Sequence, residues 1–177
     1  MEATRAMFLL LIFAVLVSSS QSGSIIPRPR PLSSLRKINT TTTSTQGLLQ
    51  NAGTCSYTVV IRTSCSSISY TRDRISLAFG DAYGNQVYVP RLDDPRSRTF
   101  ERCSTDTFDI YGPCTYQICY VYLYRQGYDG WIPYDVTIYG YNTNPVSFYY
   151  NVRMPRDIWY GFDHCYYGAR SGSAAVK

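Results

Sequence analysis

The sequence predicts an all-β fold, an eight-stranded antiparallel β-sandwich, and three observations carry that prediction. From Cys55 onward, apolar residues recur at every second position in short runs spaced by about ten residues. Gly, Pro, Asn and Asp clusters separate the runs. No window beyond the N-terminal leader sustains a helical period.

In chain order, YTVVIRT (57–63) turns Tyr57, Val59 and Ile61 to one face, and RISLAFG (74–80) does the same with Ile75, Leu77 and Phe79. The turn DAYGN (81–85) then leads into QVYVP (86–90), with Val87 and Val89 inward. A fourth strand is expected within Thr99 to Ile110, after the Asp93-Asp94-Pro95 turn and before Gly112-Pro113. The fifth, CTYQICYVYLY (114–124), is apolar on both faces, which predicts a central strand. One face carries Gln117, Cys119, Val121 and Leu123, and the other Tyr116, Ile118, Tyr120, Tyr122 and Tyr124. After GYDG (127–130) come WIPYDVTIYG (131–140), with Val136 and Ile138 inward, and then NTNP (142–145). SFYYNVRM (147–154) and DIWYGF (157–162) complete the set.

Cys55, Cys65, Cys103, Cys114, Cys119 and Cys165 all lie in this region, and an even count behind a leader reads as three disulfides. Cys114 and Cys119 in one extended strand would lie about 16 Å apart, too far to bridge. Cys55 and Cys165 bracket the domain and form the preferred pair. The other four then pair as Cys65–Cys114 with Cys103–Cys119, or as Cys65–Cys119 with Cys103–Cys114.

Residues 1–20 read as a signal peptide: Arg5, then the unbroken apolar run Ala6 to Val17, then small residues. That run is too short for a membrane span of about 20 residues. Residues 21–54, with IIPRPRP and a Ser/Thr run, read as a flexible basic arm, and 166–177 as a flexible tail. Asn39-Thr40-Thr41 is an N-glycosylation sequon, so Asn39 is a candidate glycan carrier. The net charge is +5, of which the arm supplies +4 through Arg28, Arg30, Arg36 and Lys37 with no acid among residues 21–54, while residues 55–165 sum to −1. A near-neutral sandwich argues against nucleic-acid binding. The expectation is a protein of the secretory pathway or the extracellular space.

The stretches YTVVIRTSCSSISYTRDRISLAFGDAYGNQVYVPRLDD, FERCSTDTFDIYGPCTYQICYVYLYRQGYDGWIPYDVTIYG and FYYNVRMPRDIWYGFDHC resemble the plant embryo-specific (seed) protein family. That family is related to the PLAT, or lipoxygenase-homology, domain, whose pattern shows in TRDRISLAF and GYDGWIPYDVTIYG. The resemblance implies two four-stranded sheets and a non-catalytic module contacting membrane, lipid or protein partners. It also implies a role in seed or embryo development, and it brings no catalytic residue or cofactor. A second expectation is an extracellular wall-associated protein that binds polysaccharide or is cross-linked through its tyrosines.

The candidate residues follow from side-chain chemistry. Asp81, Asn85, Asp93 and Asp94 are oxygen donors in neighbouring loops, the ligand type calcium takes, though they are also ordinary turn residues. Trp131, directly after a Gly-rich loop, suits either a membrane interface or structural packing at the start of its strand, with Tyr128 and Trp159 weaker candidates for the interface role. Trp131 falls opposite the parity of Val136. Tyr116, Tyr120, Tyr122 and Tyr124, with Tyr88, Tyr139 and Tyr149 on equivalent parities, make an aromatic face that suits a sugar platform, a lipid interface or plain cross-strand pairing. His164, beside Cys165, lacks the context of a catalytic base, and one histidine leaves little for a zinc site.

Overall fold

The computed structural model describes residues 27–33, 36–40, 53–92 and 98–165. They form nine strands in two antiparallel sheets: β1 Arg30–Pro31, β2 Thr54–Thr63, β3 Arg74–Gly80, β4 Gln86–Val89, β5 Thr105–Pro113, β6 Tyr120–Gln126, β7 Pro133–Gly140, β8 Val146–Tyr149 and β9 Trp159–Asp163. One sheet runs β1-β9-β6-β3-β4 and the other β5-β2-β7-β8. All eight expected strands are present. The ninth comes from the segment expected to be a flexible arm, so the sheets have five and four strands rather than four each. The leader and the tail lie outside the described residues.

Between the sheets, Val59, Ile61, Ile75, Leu77, Phe79, Val121, Leu123, Val136 and Ile138 have no solvent exposure. These are the inward parities of β2, β3, β6 and β7, so binary patterning alone positions most of the core. At about 25 cal/mol per Å² of apolar surface, this burial is the main force holding the sheets together.

Two departures from simple alternation matter for the surface. The central strand begins at Tyr120 rather than Cys114, and residues 114–119 form a connecting loop. Ile118, on the outward parity of an extended strand, is therefore free to turn inward and is buried in the core. In β7 the register against β2 shifts between Arg62↔Asp135 and Thr63↔Pro133, leaving Tyr134 as an extra residue. Such a bulge reverses the parity of everything before it. Trp131 thus enters the core although it lies opposite Val136 in a regular count. It is 1% exposed, its ring stands 4.7 Å from Phe100, and its Nε1 donates to Thr63 Oγ1 at 3.1 Å.

Three disulfides form, with pairing that corrects the expected one: Cys55–Cys114, Cys65–Cys103 and Cys119–Cys165. Cys55 and Cys165 bracket the domain in sequence but belong to different sheets, which is why they do not meet. Each real bridge sits at an end of a strand pair. Cys114 N donates to Gly53 O and Thr63 N to Ser104 O, closing the two ends of the β2–β5 ladder. Cys119 and Cys165 flank the Tyr120↔Asp163 end of β6–β9.

Strand β1 has a readable local cause. Pro27, Pro29 and Pro31 alternate with Arg28, Arg30 and Leu32, and proline holds φ near that of an extended chain. Arg30 stands opposite Gly161, and Leu32 N donates to Trp159 O at 2.9 Å. The residues on the other parity are prolines, which have no N–H to leave unpaired on the outer side. A strand paired on one side only tolerates proline there, and that proline blocks a further strand from adding.

Candidate functional site

The tyrosine face of β6 is the first place to test. Tyr120 and Tyr122 are 1% and 3% exposed, so they are not a binding surface. Residues 30–33 and 36–40 lie along the outer face of the five-stranded sheet as a strap and cover them. Ile38 is buried with Ala78, Tyr120, Tyr122 and Cys165, and Leu32 packs against this second core. The Arg36 guanidinium lies 3.8 Å from the Tyr120 ring centroid and forms a two-point ion pair with Asp163, its Nη2 donating to Oδ1 at 3.2 Å. Burial pushes the Tyr120 hydroxyl up to about 12, partly opposed by Arg36. Gln86 Nε2 donates to Asn39 O at 3.0 Å, fixing the strap on the far side, and the Asn39 side chain is exposed. Tyr124 and Tyr88 are half-buried, and Tyr116, Tyr139 and Tyr149 are exposed.

Trp131, a core residue, is likewise removed from the surface candidates. Asp81 is fully buried and serves its own turn. Its Oδ1 accepts from Tyr83 N at 2.8 Å and Asn85 N at 3.1 Å. Its Oδ2 accepts from Asn85 Nδ2 at 2.7 Å and Tyr116 N at 2.8 Å. With both oxygens so occupied, and Asn85 turning its amide N–H toward them, Asp81 and Asn85 do not fit a calcium cage. Asp93 and Asp94 lie outside the described residues, among which no group of three or more His, Cys, Asp or Glu converges. His164 packs against Phe148 and Phe162 at 5.6 Å, and burial pulls its pKa down against the opposing influence of Asp163.

One end of the sandwich does collect exposed aromatic and cationic groups. It consists of the β2–β3 connection, the turn before β5, the β6–β7 loop and the segment after β8. Tyr128, at the tip of 127–130, is 89% exposed, with the Arg156 guanidinium 4.7 Å from its ring centroid. Tyr70 is also exposed, and Arg72 Nη2 donates to its hydroxyl at 3.1 Å. Arg72 N donates to Asp129 Oδ2 at 2.9 Å, joining the two loops. Arg102, whose Nε donates to Ser67 O at 2.9 Å, and the exposed Arg153 complete the cluster.

A buried ion pair that the sequence reading missed holds this tip. Asp73 accepts from Asp129 N at 3.1 Å and Gly130 N at 3.0 Å, and it pairs with Arg125. Arg125 in turn donates through Nε to Met154 O at 3.2 Å and through Nη1 to Gly127 O at 3.2 Å. Gly127 has φ +144° and approaches Asp73 so closely that a Cβ would fall 2.0 Å from its Oδ1. Burial, the largest single influence on Asp73, pushes its pKa up. The Gly130 and Asp129 N–H groups and Arg125 together outweigh it and hold the carboxyl below its ordinary value. The signal was present as a charged pattern, TRDR, but its partner lies 52 residues away.

Comparison with known proteins places these features. The model of the embryo-specific protein 3 family matches residues 42–165. The chain is 54% identical over 139 residues to the embryo-specific protein ATS3B of Arabidopsis thaliana, covering 78% of this chain and 69% of that protein. To ATS3A of the same plant it is 52% identical over 132 residues, covering 75% and 69%. Among solved structures it is similar to the Delta413-417:GS LOX crystal structure, with a TM-score of 0.54 and 21% identity. That match covers 63% of this chain and 16% of the other. The coral 8R-lipoxygenase, itself described as calcium-activated through a C2-like domain, matches with a TM-score of 0.51 and 21% identity. It is covered over 17% of its length, by 60% of this chain. The shared part is therefore the β-sandwich of the lipoxygenase PLAT domain, and at this identity the likeness shows the fold alone.

Proposed function

The chain belongs to the embryo-specific protein 3 family, and on that footing we propose that its PLAT-like sandwich is a secreted, non-catalytic module that docks on anionic lipid surfaces in embryo or seed tissue. Three disulfides require an oxidising compartment, in keeping with passage through the secretory pathway. The observation that carries the reading is Tyr128, a nearly fully exposed aromatic at a stapled loop tip with Arg156 against its ring. Tyrosine's apolar ring and polar hydroxyl suit the headgroup level of a bilayer. Arg156 stands against its ring and Arg72 is tied to Asp129 of the same loop, with Arg153 beside Gly130 and Arg102 on the adjoining turn, against Asp129, Asp157 and Glu101; each cation near an anionic leaflet contributes about 1 kcal/mol. No calcium bridge enters this reading.

Flotation with phosphatidylserine-containing vesicles, and with neutral phosphatidylcholine vesicles as control, tests it. The wild-type chain should float with the anionic vesicles and less so as salt rises. The double variant Tyr128→Ala/Arg156→Glu should bind about tenfold more weakly. Absence of wild-type flotation refutes the lipid reading, and an unchanged double variant refutes the loop-tip site.

A further inference from the structure

The outer face of the five-stranded sheet holds a second feature that neither the fold nor the loop tip requires. The outward residues of β3 after Arg74 are Ser76, Ala78 and Gly80, so short side chains run down the middle of the sheet. Large rings stand on both sides: Tyr88 on β4, Tyr122 and Tyr124 on β6, and Trp159 on β9. A trough results. The strap fills its Ala78 half with Ile38. Among the described residues, the Ser76 half is a cleft of about 300 Å³, between Tyr88, Tyr124 and Trp159, with Arg74, Gln126 and Thr40 at its edges.

The three rings form a continuous wall. Trp159 and Tyr124 centroids are 5.3 Å apart, and Trp159 and Tyr88 centroids 6.2 Å. All three are half-buried, so ring surface remains open to a ligand. Arg74 Nε donates to Pro90 O at 3.1 Å, and Ser76 Oγ donates to the same carbonyl at 2.7 Å, which anchors the guanidinium at the mouth. Among the described residues, neither Asp nor Glu lines the cleft.

We propose that this cleft binds a hexuronate unit of an acidic polysaccharide. Aromatic walls with a few placed polar groups are the usual composition of a small-ligand site, and this one lies at the small end of the size range. A pyranose ring presents C–H groups to the aromatic faces and hydroxyls at its rim, where Gln126 and Thr40 supply amide and hydroxyl partners. Its carboxylate matches the forked donor geometry of Arg74. The open cleft lets a chain enter and leave, whereas a free fatty acid would leave its tail in water. This site shares no residue with the Tyr128 tip, so either reading can fail alone.

The chain has two tryptophans, and only Trp159 lines the cleft while Trp131 is buried in the core, so intrinsic fluorescence reports on the site. The experiment titrates trigalacturonate into the full secreted chain carrying Asn39→Gln, which removes any glycan next to Thr40. A saturable change in emission is expected, absent in Trp159→Phe. Arg74→Gln should weaken binding about tenfold, and cellotriose, a neutral trisaccharide, should bind at least about tenfold more weakly than trigalacturonate. Arg74 is exposed, so its loss leaves folding intact. No saturable change up to about 10 mM, an unaltered response in Arg74→Gln, or equal binding of cellotriose would each overturn the proposal.

Discussion

Asp73 concentrates the residue-scale logic of this protein. Its carboxylate is buried, accepts two backbone N–H groups and pairs with Arg125, and the loop that presents Tyr128 hangs from it. Removing one partner of a buried pair strands the other charge, so Asp73→Ala should lower stability by about 3–5 kcal/mol. Urea denaturation at neutral pH measures this, and a loss within error of zero would mean that water reaches Arg125 freely. Because the folded-state pKa of Asp73 is lowered, its contribution is fully present above the unfolded value of about 3.9. It is lost as pH falls through the lower folded value. Wild-type melting temperature should therefore drop more steeply below about pH 4 than that of Asp73→Asn, and parallel curves would contradict the assignment. The same scale shows where sequence reading of the site stopped. Tyr128 was legible because a Gly-rich loop exposes whatever lies at its tip. Tyr120, Tyr122 and Trp131 stayed open between surface and packing because their burial depends on a strap and a bulge, neither of which alternation encodes.

At the scale of elements, the strap is the informative case. Eight strands could be read from period-two patterning because each has one face against the core. The ninth could not, because β1 has two residues and pairs at one edge only. Its signal was the alternation of prolines, which serves an outermost strand as well as a linker. Ile38→Ala should cost about 2–3 kcal/mol, at the lower end for an aliphatic residue truncated in a core. Deleting residues 27–40 should uncover Tyr120 and Tyr122 and the free edge of β9. The deletion variant is then expected to bind a hydrophobic dye strongly and to self-associate in light scattering. A monomer with wild-type dye binding would show that the strap covers nothing of consequence.

For the whole molecule, the six cysteines show how far counting reaches. Their even number announced three bridges, but their partners follow from strand order, which sequence proximity does not reveal. A non-reduced peptide map should return Cys55–Cys114, Cys65–Cys103 and Cys119–Cys165, and a Cys55–Cys165 peptide would refute this topology. With 38 to 59 residues between partners, each bridge should add about 4 kcal/mol on the chain-entropy account. Each of them also joins neighbours within one sheet, and no bridge crosses between the sheets. Oxidation and closure of the sandwich are therefore separable events. As the chain oxidises, each half can have its strand pairing locked covalently before the two halves meet. A fully oxidised chain can still part along the plane between them, like a hinged case whose two shells are each welded while the clasp is only its apolar lining.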